Sequence, residues 1–133
     1  DLFAGTGAVG LEALSRGAEK ALFVEKNTVA CSVIIQNLRD LELADKRLVL
    51  QSDVISAIEK LAQDGYVFDI IFLDPPYYKN HIEKTLKALK DFSIAGSIVA
   101  VQHPKDESFS FSGFSFLKDK KYGRNALTFL VKE

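Results

Sequence analysis

Asp1-Leu2-Phe3-Ala4-Gly5-Thr6-Gly7-Ala8-Val9-Gly10 opens the chain, and its reading decides the fold. The three glycines stand in G-x-G-x-x-G spacing. They follow a strand stub, Asp1 to Phe3, and lead into a helical stretch, Ala8 to Arg16, which Gly17 closes as a C-cap residue. Glycine lets the backbone approach a ligand closely, and the helix behind it offers N–H groups that have no intrahelical partner. Glu25 ends the next apolar run, Ala21 to Val24, about 20 residues on, where a carboxylate accepts both hydroxyls of an adenosine ribose. Asp1, Ala4, Gly5, Gly7 and Glu25 are therefore candidate contacts of an adenosine-containing cofactor. The plainer alternative is that the glycines only permit tight packing of a helix on a strand.

Outward from this motif, apolar runs alternate with amphipathic stretches. Asn27 caps a helix reaching to about Leu41, with Val29, Val33, Ile34, Leu38 and Leu41 on one face. Leu48 to Leu50 is a strand, and Asp53 opens a helix with Val54, Ile58 and Leu61 on one side. Phe68 to Leu73 is a strongly apolar strand with one charge, Asp69. Asn80 and Glu83 form a capping-box-like pair before a helix carrying Ile82, Leu86 and Leu89, and Ile98 to Val101 is a further buried strand. Strands without polar alternation, each joined by a helix, predict a parallel sheet covered on both faces. Phe114 to Leu117 and Leu127 to Val131, around a turn at Gly123, predict an antiparallel pair; residues 108–116 read as a loop or an amphipathic strand.

Electrostatics separates the candidate cofactors. Asp1 stands at the carboxyl end of the first strand, where it repels a dinucleotide's pyrophosphate and attracts the ammonium and sulfonium of S-adenosylmethionine. Asp53, at the end of the third strand, is placed to accept the adenine amino group while the Val54 N–H meets a ring nitrogen. An ordinary helix N-cap explains Asp53 equally well, and the two roles are compatible.

Asp74-Pro75-Pro76-Tyr77 follows the most apolar strand, at the carboxyl end where α/β sheets bind ligands. Two prolines fix φ and remove two donors, leaving a stiff segment of acceptors. The Asp74 carboxylate and the Pro75 carbonyl make a two-acceptor clamp for the two N–H donors of an exocyclic base amine. Such a clamp favours a pyramidal nitrogen whose lone pair faces a sulfonium methyl, so that catalysis rests on positioning and electrostatics. Tyr77 offers a face for stacking an extruded base, worth ~1–3 kcal/mol. In the tail, Lys118, Lys120, Lys121 and Arg124 cluster with only Asp119 against them. Lys120, Lys121 and Arg124 are candidate phosphate contacts, and a solvated hairpin with aggregation-blocking lysines explains them as well.

Composition sets the bounds. The 133 residues, 47% hydrophobic, predict one domain over 1–133. No apolar run approaches the ~18 residues of a membrane span, so no membrane partner is expected. Cys31 is the single cysteine and reads as a buried mid-helix filler, which fits a reducing, cytoplasmic setting. A net charge of -1 gives no global case for nucleic-acid binding, so that case is local. His81 and His103 are isolated, and no metal site is expected. The chain contains no methionine, even at position 1, and opens inside a motif. A preceding segment is therefore expected.

These stretches resemble a known family. Asp1 to Ala18 closely resembles the first motif of bacterial 16S ribosomal RNA guanine-N2 methyltransferases, the small-subunit methyltransferase D family. Phe23-Val24-Glu25 resembles its second motif, Phe72-Leu73-Asp74-Pro75-Pro76-Tyr77 its catalytic motif, and Lys121 to Phe129 its C-terminal hairpin. The resemblance implies a class I methyltransferase fold, Rossmann-like, doubly wound and mostly parallel with an antiparallel last strand. It implies methyl transfer from S-adenosylmethionine to N2 of a guanine in 16S rRNA, free or in a small-subunit assembly intermediate. It also implies an N-terminal extension that contributes to RNA binding and to one wall of the cofactor site. Other readings are transfer to adenine N6 of RNA or DNA, a nicotinamide-dependent dehydrogenase, and a non-catalytic RNA-binding module. The dehydrogenase lacks a substrate domain and a convincing catalytic His or Lys constellation.

Overall fold

A computed structural model describes residues 1–92 and 95–133. The chain divides into two compact units, Asp1–Ala57 and Ile58–Glu133.

The first unit is built on two parallel strands, β1 (Ala21–Glu25) and β2 (Arg47–Gln51), paired with Phe23 opposite Val49. The expected strand stub is a single parallel bridge, Leu2 to Val24. Helix α1 (Ala8–Ser15) stops one residue short of its expected end, with Arg16 as C-cap. Helix α2 (Thr28–Asp40) begins where expected, because the Asn27 side chain accepts the Ala30 N–H at 2.9 Å. Leu11, Leu14, Phe23, Ile34 and Leu38 form the core, with Ala4, Ala18 and Val49 packed at its edge.

The buried stripe of α2 differs from the expected one. Cys31, Ile34 and Leu38 are buried, whereas Val29 and Leu41 are 72% and 54% exposed. At 100° per residue Val29 lies well off the Ile34 line, and Leu41 falls at the C-cap, where the chain leaves the helix. Glu42 takes φ 58, and the Leu43 N–H closes back on the Leu38 carbonyl at 2.7 Å, a helix-ending turn.

Helix α3 (Val54–Gln63) carries the division between the units and buries Val54, Ala57, Ile58 and Leu61, an i, i+3, i+4, i+7 stripe. In the second unit, strand β3 (Ile70–Leu73) is shorter than the apolar run that contains it. Helix α4 (His81–Phe92) buries Ile82, Thr85, Leu86 and Leu89. The expected capping box is replaced: Asn80 sits at φ 57, and the Glu83 carboxylate accepts the Ser110 N–H at 2.8 Å. Strands β4 (Ile98–Pro104), β5 (Phe114–Tyr122) and β6 (Asn125–Lys132) complete a sheet in the order β3-β4-β6-β5.

In that sheet β3 and β4 run parallel, while β6 runs antiparallel to both β4 and β5. The β5–β6 hairpin is longer than expected, turning through Gly123 and Arg124 with Gly123 at φ 61, the glycine placement of a type II′ connection. A bulge between Phe116 and Lys118 shifts its register. Residues 108–113 are loop. Beneath the hairpin, the Thr128 hydroxyl donates to Asp119 Oδ1 at 2.7 Å and meets His103 Nε2 at 2.7 Å. His103 Nδ1 lies 2.8 Å from the Pro104 carbonyl. These contacts give the buried Thr128 and His103 polar partners. Among the described residues, no helix is long and apolar enough to cross a membrane.

Candidate functional site

In the first unit the glycine loop is fastened to the tip of β1. The Asp1 amine donates to the Leu22 carbonyl at 2.8 Å, and the Asp1 carbonyl accepts from Val24 N–H at 2.9 Å. Ala4 N–H donates to the Val24 carbonyl at 2.9 Å, and Gly7 N–H to the Ala4 carbonyl at 2.8 Å. Glu25 holds the loop through its carboxylate: Oε1 accepts Gly5 N–H at 2.9 Å and Oε2 accepts Asn27 N–H at 2.8 Å. An ionised carboxylate has about four acceptor positions, so roughly two remain for hydroxyl donors.

The three glycines do different work. A Cβ on Gly10 would stand 2.3 Å from Phe23 Cε1, so this glycine lets α1 lie on β1. Gly7, at φ 84, is both left-handed and close, with Ile34 Cγ1 at 3.1 Å from such a Cβ. Gly5, at φ 57, faces open space, with nothing within 4 Å. The packing explanation thus accounts for Gly10 and part of Gly7 and leaves Gly5 free for a ligand. Gly7 caps α1 without a side-chain hydrogen bond, and the first turn holds no acid. Its N–H groups are therefore available to an anionic group such as a carboxylate.

Asp53 is the N-cap expected as one of its two roles. Oδ1 accepts Ser56 N–H at 2.9 Å, and this bond is the main cause holding the Asp53 carboxyl below its ordinary value. Ser52 joins the pieces, donating its N–H to the Glu25 carbonyl at 3.1 Å and its hydroxyl to the Asp53 carbonyl at 2.8 Å. Val54, buried, begins the helix. Asp1, Ala4, Gly5, Gly7, Glu25, Asp53 and Val54 therefore share the carboxyl-end side of this unit's strands. Cys31 donates its thiol to the Glu25 carbonyl at 3.2 Å; burial, then the Glu25 charge, raises its pKa, so it is not a poised nucleophile.

In the second unit Asp74 and buried Pro75 follow the end of β3 directly. Asp74 is half-buried, and desolvation raises its carboxyl above the ordinary 3.8. The loop beyond is pinned at two points. Tyr77 donates its hydroxyl to Asn125 Oδ1 at 3.3 Å, and Tyr78 donates to Asp106 Oδ1 at 2.7 Å, which raises the Tyr78 phenol. Tyr78 and Asn80 both sit at positive φ, 59 and 57, a strain tolerated where surrounding contacts over-determine a loop. Tyr77, with its hydroxyl tied down, is 42% exposed.

Asp106 and Asn125 lie 28 and 48 residues from their tyrosines, and sequence reasoning missed both as anchors. For Asn125, the available signal was its place in the C-terminal hairpin stretch. Lys120 and Lys121 are exposed on β5, opposite Leu127 and Ala126, and as neighbours on a strand they face opposite ways. Lys118 instead lies over its own hairpin, 5.2 Å from the Phe129 ring centre. Arg124 occupies the turn, and its carbonyl accepts Lys105 N–H at 2.9 Å. Among the described residues no group of three His, Cys, Asp or Glu could hold a metal.

Residues 1–131 match a family model described as conserved hypothetical protein 95. The chain is 37% identical over 109 residues to a protein named putative rRNA methyltransferase YlbH of Bacillus subtilis, covering 80% of this chain and 59% of that one. It is 40% identical over 91 residues to the ribosomal RNA small subunit methyltransferase D of Escherichia coli, covering 68% and 44%. The chain thus matches about half the length of these curated relatives. A solved structure described as putative methyltransferase yhhF from Escherichia coli superposes with TM-score 0.85 at 31% identity, over all of this chain and 74% of that one.

Proposed function

The chain belongs to the conserved hypothetical protein 95 family and has the α/β fold of class I methyltransferases, and from that premise we propose that it methylates the exocyclic N2 of a guanine in 16S ribosomal RNA. S-adenosylmethionine is the proposed donor, and when bound it supplies an electrophilic sulfonium methyl. The residues fit such a cofactor. Gly5 leaves open space beside a helix terminus free of acid, and Glu25 keeps acceptor positions for a ribose after holding Gly5 and Asn27. Asp53 has one oxygen committed to the Ser56 N–H, and the other is assigned to the adenine amine, with the Val54 N–H on the ring. Asp1 and the Ala4–Gly7 turn are assigned to the methionine end.

On the acceptor side, Asp74 and the Pro75 carbonyl take the two amine N–H groups and hold the nitrogen lone pair out of conjugation with the base. Asp74 acts as the carboxylate here. Its partial burial strengthens these hydrogen bonds relative to bulk water, because the surrounding dielectric is lower. The proton released after transfer passes to Asp74 or to solvent. Tyr77, its hydroxyl held by Asn125, presents its ring to the base, and Lys120, Lys121 and Arg124 are assigned to phosphates. The enzyme is proposed to work in the cytoplasm on rRNA or on a small-subunit assembly intermediate.

One observation carries the reading. A half-buried carboxylate with a raised pKa stands directly after the apolar strand β3 and before two prolines and an exposed tyrosine. The names of the relatives support small-subunit ribosomal RNA as the substrate class, and the choice of guanine N2 rests on the resemblance of the Asp74 motif. Incubating the full-length protein with small-subunit particles and isotopically labelled donor, then digesting the RNA for nucleoside mass spectrometry, tests it. Label in N2-methylguanosine, lost in Asp74→Ala, is expected. Label in N6-methyladenosine would assign the clamp to a different base.

A further inference from the structure

Helix α4 and the loop residues Ser110 and Ser112 flank an open cleft of about 410 Å³ that none of the site residues above lines. Its walls are held in place. The Ser110 N–H donates to Glu83 Oε1 at 2.8 Å, fixing the loop to the first turn of α4. At the other end the Lys90 stem lies against Gly113, where a Cβ would come within 2.9 Å of Lys90 Cδ and Cγ.

Lys84, Lys87 and Lys90 line this cleft with the hydroxyl residues Ser110 and Ser112. Their i, i+3, i+6 spacing sets them along one side of α4, about 9 Å from first to last at 1.5 Å per residue. All three are exposed, and the two ion pairs among the described residues, Arg16–Glu12 and Lys60–Asp64, involve none of them. Among the described residues Glu83 is the one acid lining the cleft, and one of its oxygens is committed to Ser110. Three lysines against one glutamate leave +2.

We infer that this cleft is a second contact surface for the substrate RNA, in which Lys84, Lys87 and Lys90 hold consecutive phosphates of one strand. The inference rests on the RNA substrate proposed above. A single small anion meets one or two of these ammonium groups. A polyanion is needed to satisfy three along about 9 Å, a reach covered by neighbouring phosphates of one strand. Lysines act here as point charges without base-edge contacts, so the surface positions the RNA and leaves the choice of base to the Asp74 loop.

The test is the triple variant Lys84→Ala/Lys87→Ala/Lys90→Ala in the full-length protein, with the matching triple Arg variant as control. Binding of a 16S rRNA fragment is measured between 50 and 200 mM salt, and S-adenosylhomocysteine binding is measured alongside. Neutralising three phosphates on a single strand contributes about 0.7 × 3, or roughly 2, to the log–log salt slope. The parent should therefore lose roughly 20-fold more RNA affinity than the Ala variant across that range. The Arg variant should keep the parent slope, and cofactor-product binding should not change. An unchanged slope in the Ala variant, with methyl transfer intact in the parent, would overturn the cleft assignment and leave the function standing. The shallower slope with no methyl transfer by the parent would do the reverse. Normal binding of the Ala variant to naked RNA but weakened binding to assembled particles would also overturn it, giving the lysines to a protein partner.

Discussion

Replacing Gly10 by alanine separates the packing role of the glycine motif from its ligand role. In an exposed helix, Gly→Ala gains about 0.5–1 kcal/mol because glycine loses more backbone entropy on folding. Here the added Cβ would stand 2.3 Å from Phe23 Cε1 and 2.8 Å from Cζ. Phe23 has no exposure and is held among Leu11, Leu14, Ile34 and Leu38, so its ring cannot swing into solvent. Overpacking of this kind costs about 1–3 kcal/mol. Set against the propensity gain, the net loss is up to about 2.5 kcal/mol, or up to roughly 9 °C in Tm for a chain of this size. Gly5→Ala is the contrast: its Cβ meets nothing within 4 Å, and its cost is the left-handed backbone at φ 57, about 1–2 kcal/mol. Urea denaturation gives the stabilities, and calorimetry with S-adenosylhomocysteine gives the affinities. Gly5→Ala should lose at least ten-fold in affinity once compared under conditions where both variants are folded, while folded Gly10→Ala keeps most of it. A Gly10→Ala protein about 0.5–1 kcal/mol more stable than the parent would refute the packing argument, since the helix-propensity gain would then stand unopposed.

Three further outcomes are expected. Desolvation raises the Asp74 pKa above 3.8, so methyl transfer should fall as pH drops through that raised value, and Asp74→Asn should show a low rate without this acid limb. The linked stability runs the other way: the folded state binds the extra proton, so Asp74's contribution declines as pH rises from 3.8 through the folded value, and Asp74→Asn should remove that decline. Thr128→Val should cost about 1–3 kcal/mol in urea denaturation, because His103 Nε2 and Asp119 Oδ1 each lose a partner, whereas Thr128→Ser should stay close to the parent. Asn125→Ala should raise KM for RNA several-fold through the freed Tyr77 and leave S-adenosylhomocysteine affinity unchanged; a matching fall in both would make Asn125 a general fold residue.

The parts legible in the sequence are those governed by local physics. A glycine run beside an apolar strand, an Asn at a helix start and two prolines after the strand Ile70–Leu73 each constrain only their own few residues. Hence the starts of α1 and α2, the end of the strand before Asp74 and the turn of the antiparallel hairpin fall where their residues predict. Helix α2 marks the limit of periodicity: Val29 and Cys31 are both apolar enough for a core, and how the helix lies on its unit decides that Cys31 is buried and Val29 is not.

What the chain alone could not decide is which distant groups meet. Glu25 reads as a ribose acceptor from its place at a strand end; that it also clamps Gly5 and Asn27 follows from how the loop folds back on β1. The anchoring of Tyr77 by Asn125 and of Tyr78 by Asp106, and the gathering of three α4 lysines beside two serines of a loop more than twenty residues away, leave no periodic or compositional trace. Local pattern records the conformation of neighbouring residues, because each side chain biases its own backbone. Contacts across the fold are chosen by packing and hydrogen-bond satisfaction of all the elements at once, and that choice exists only once the chain is folded.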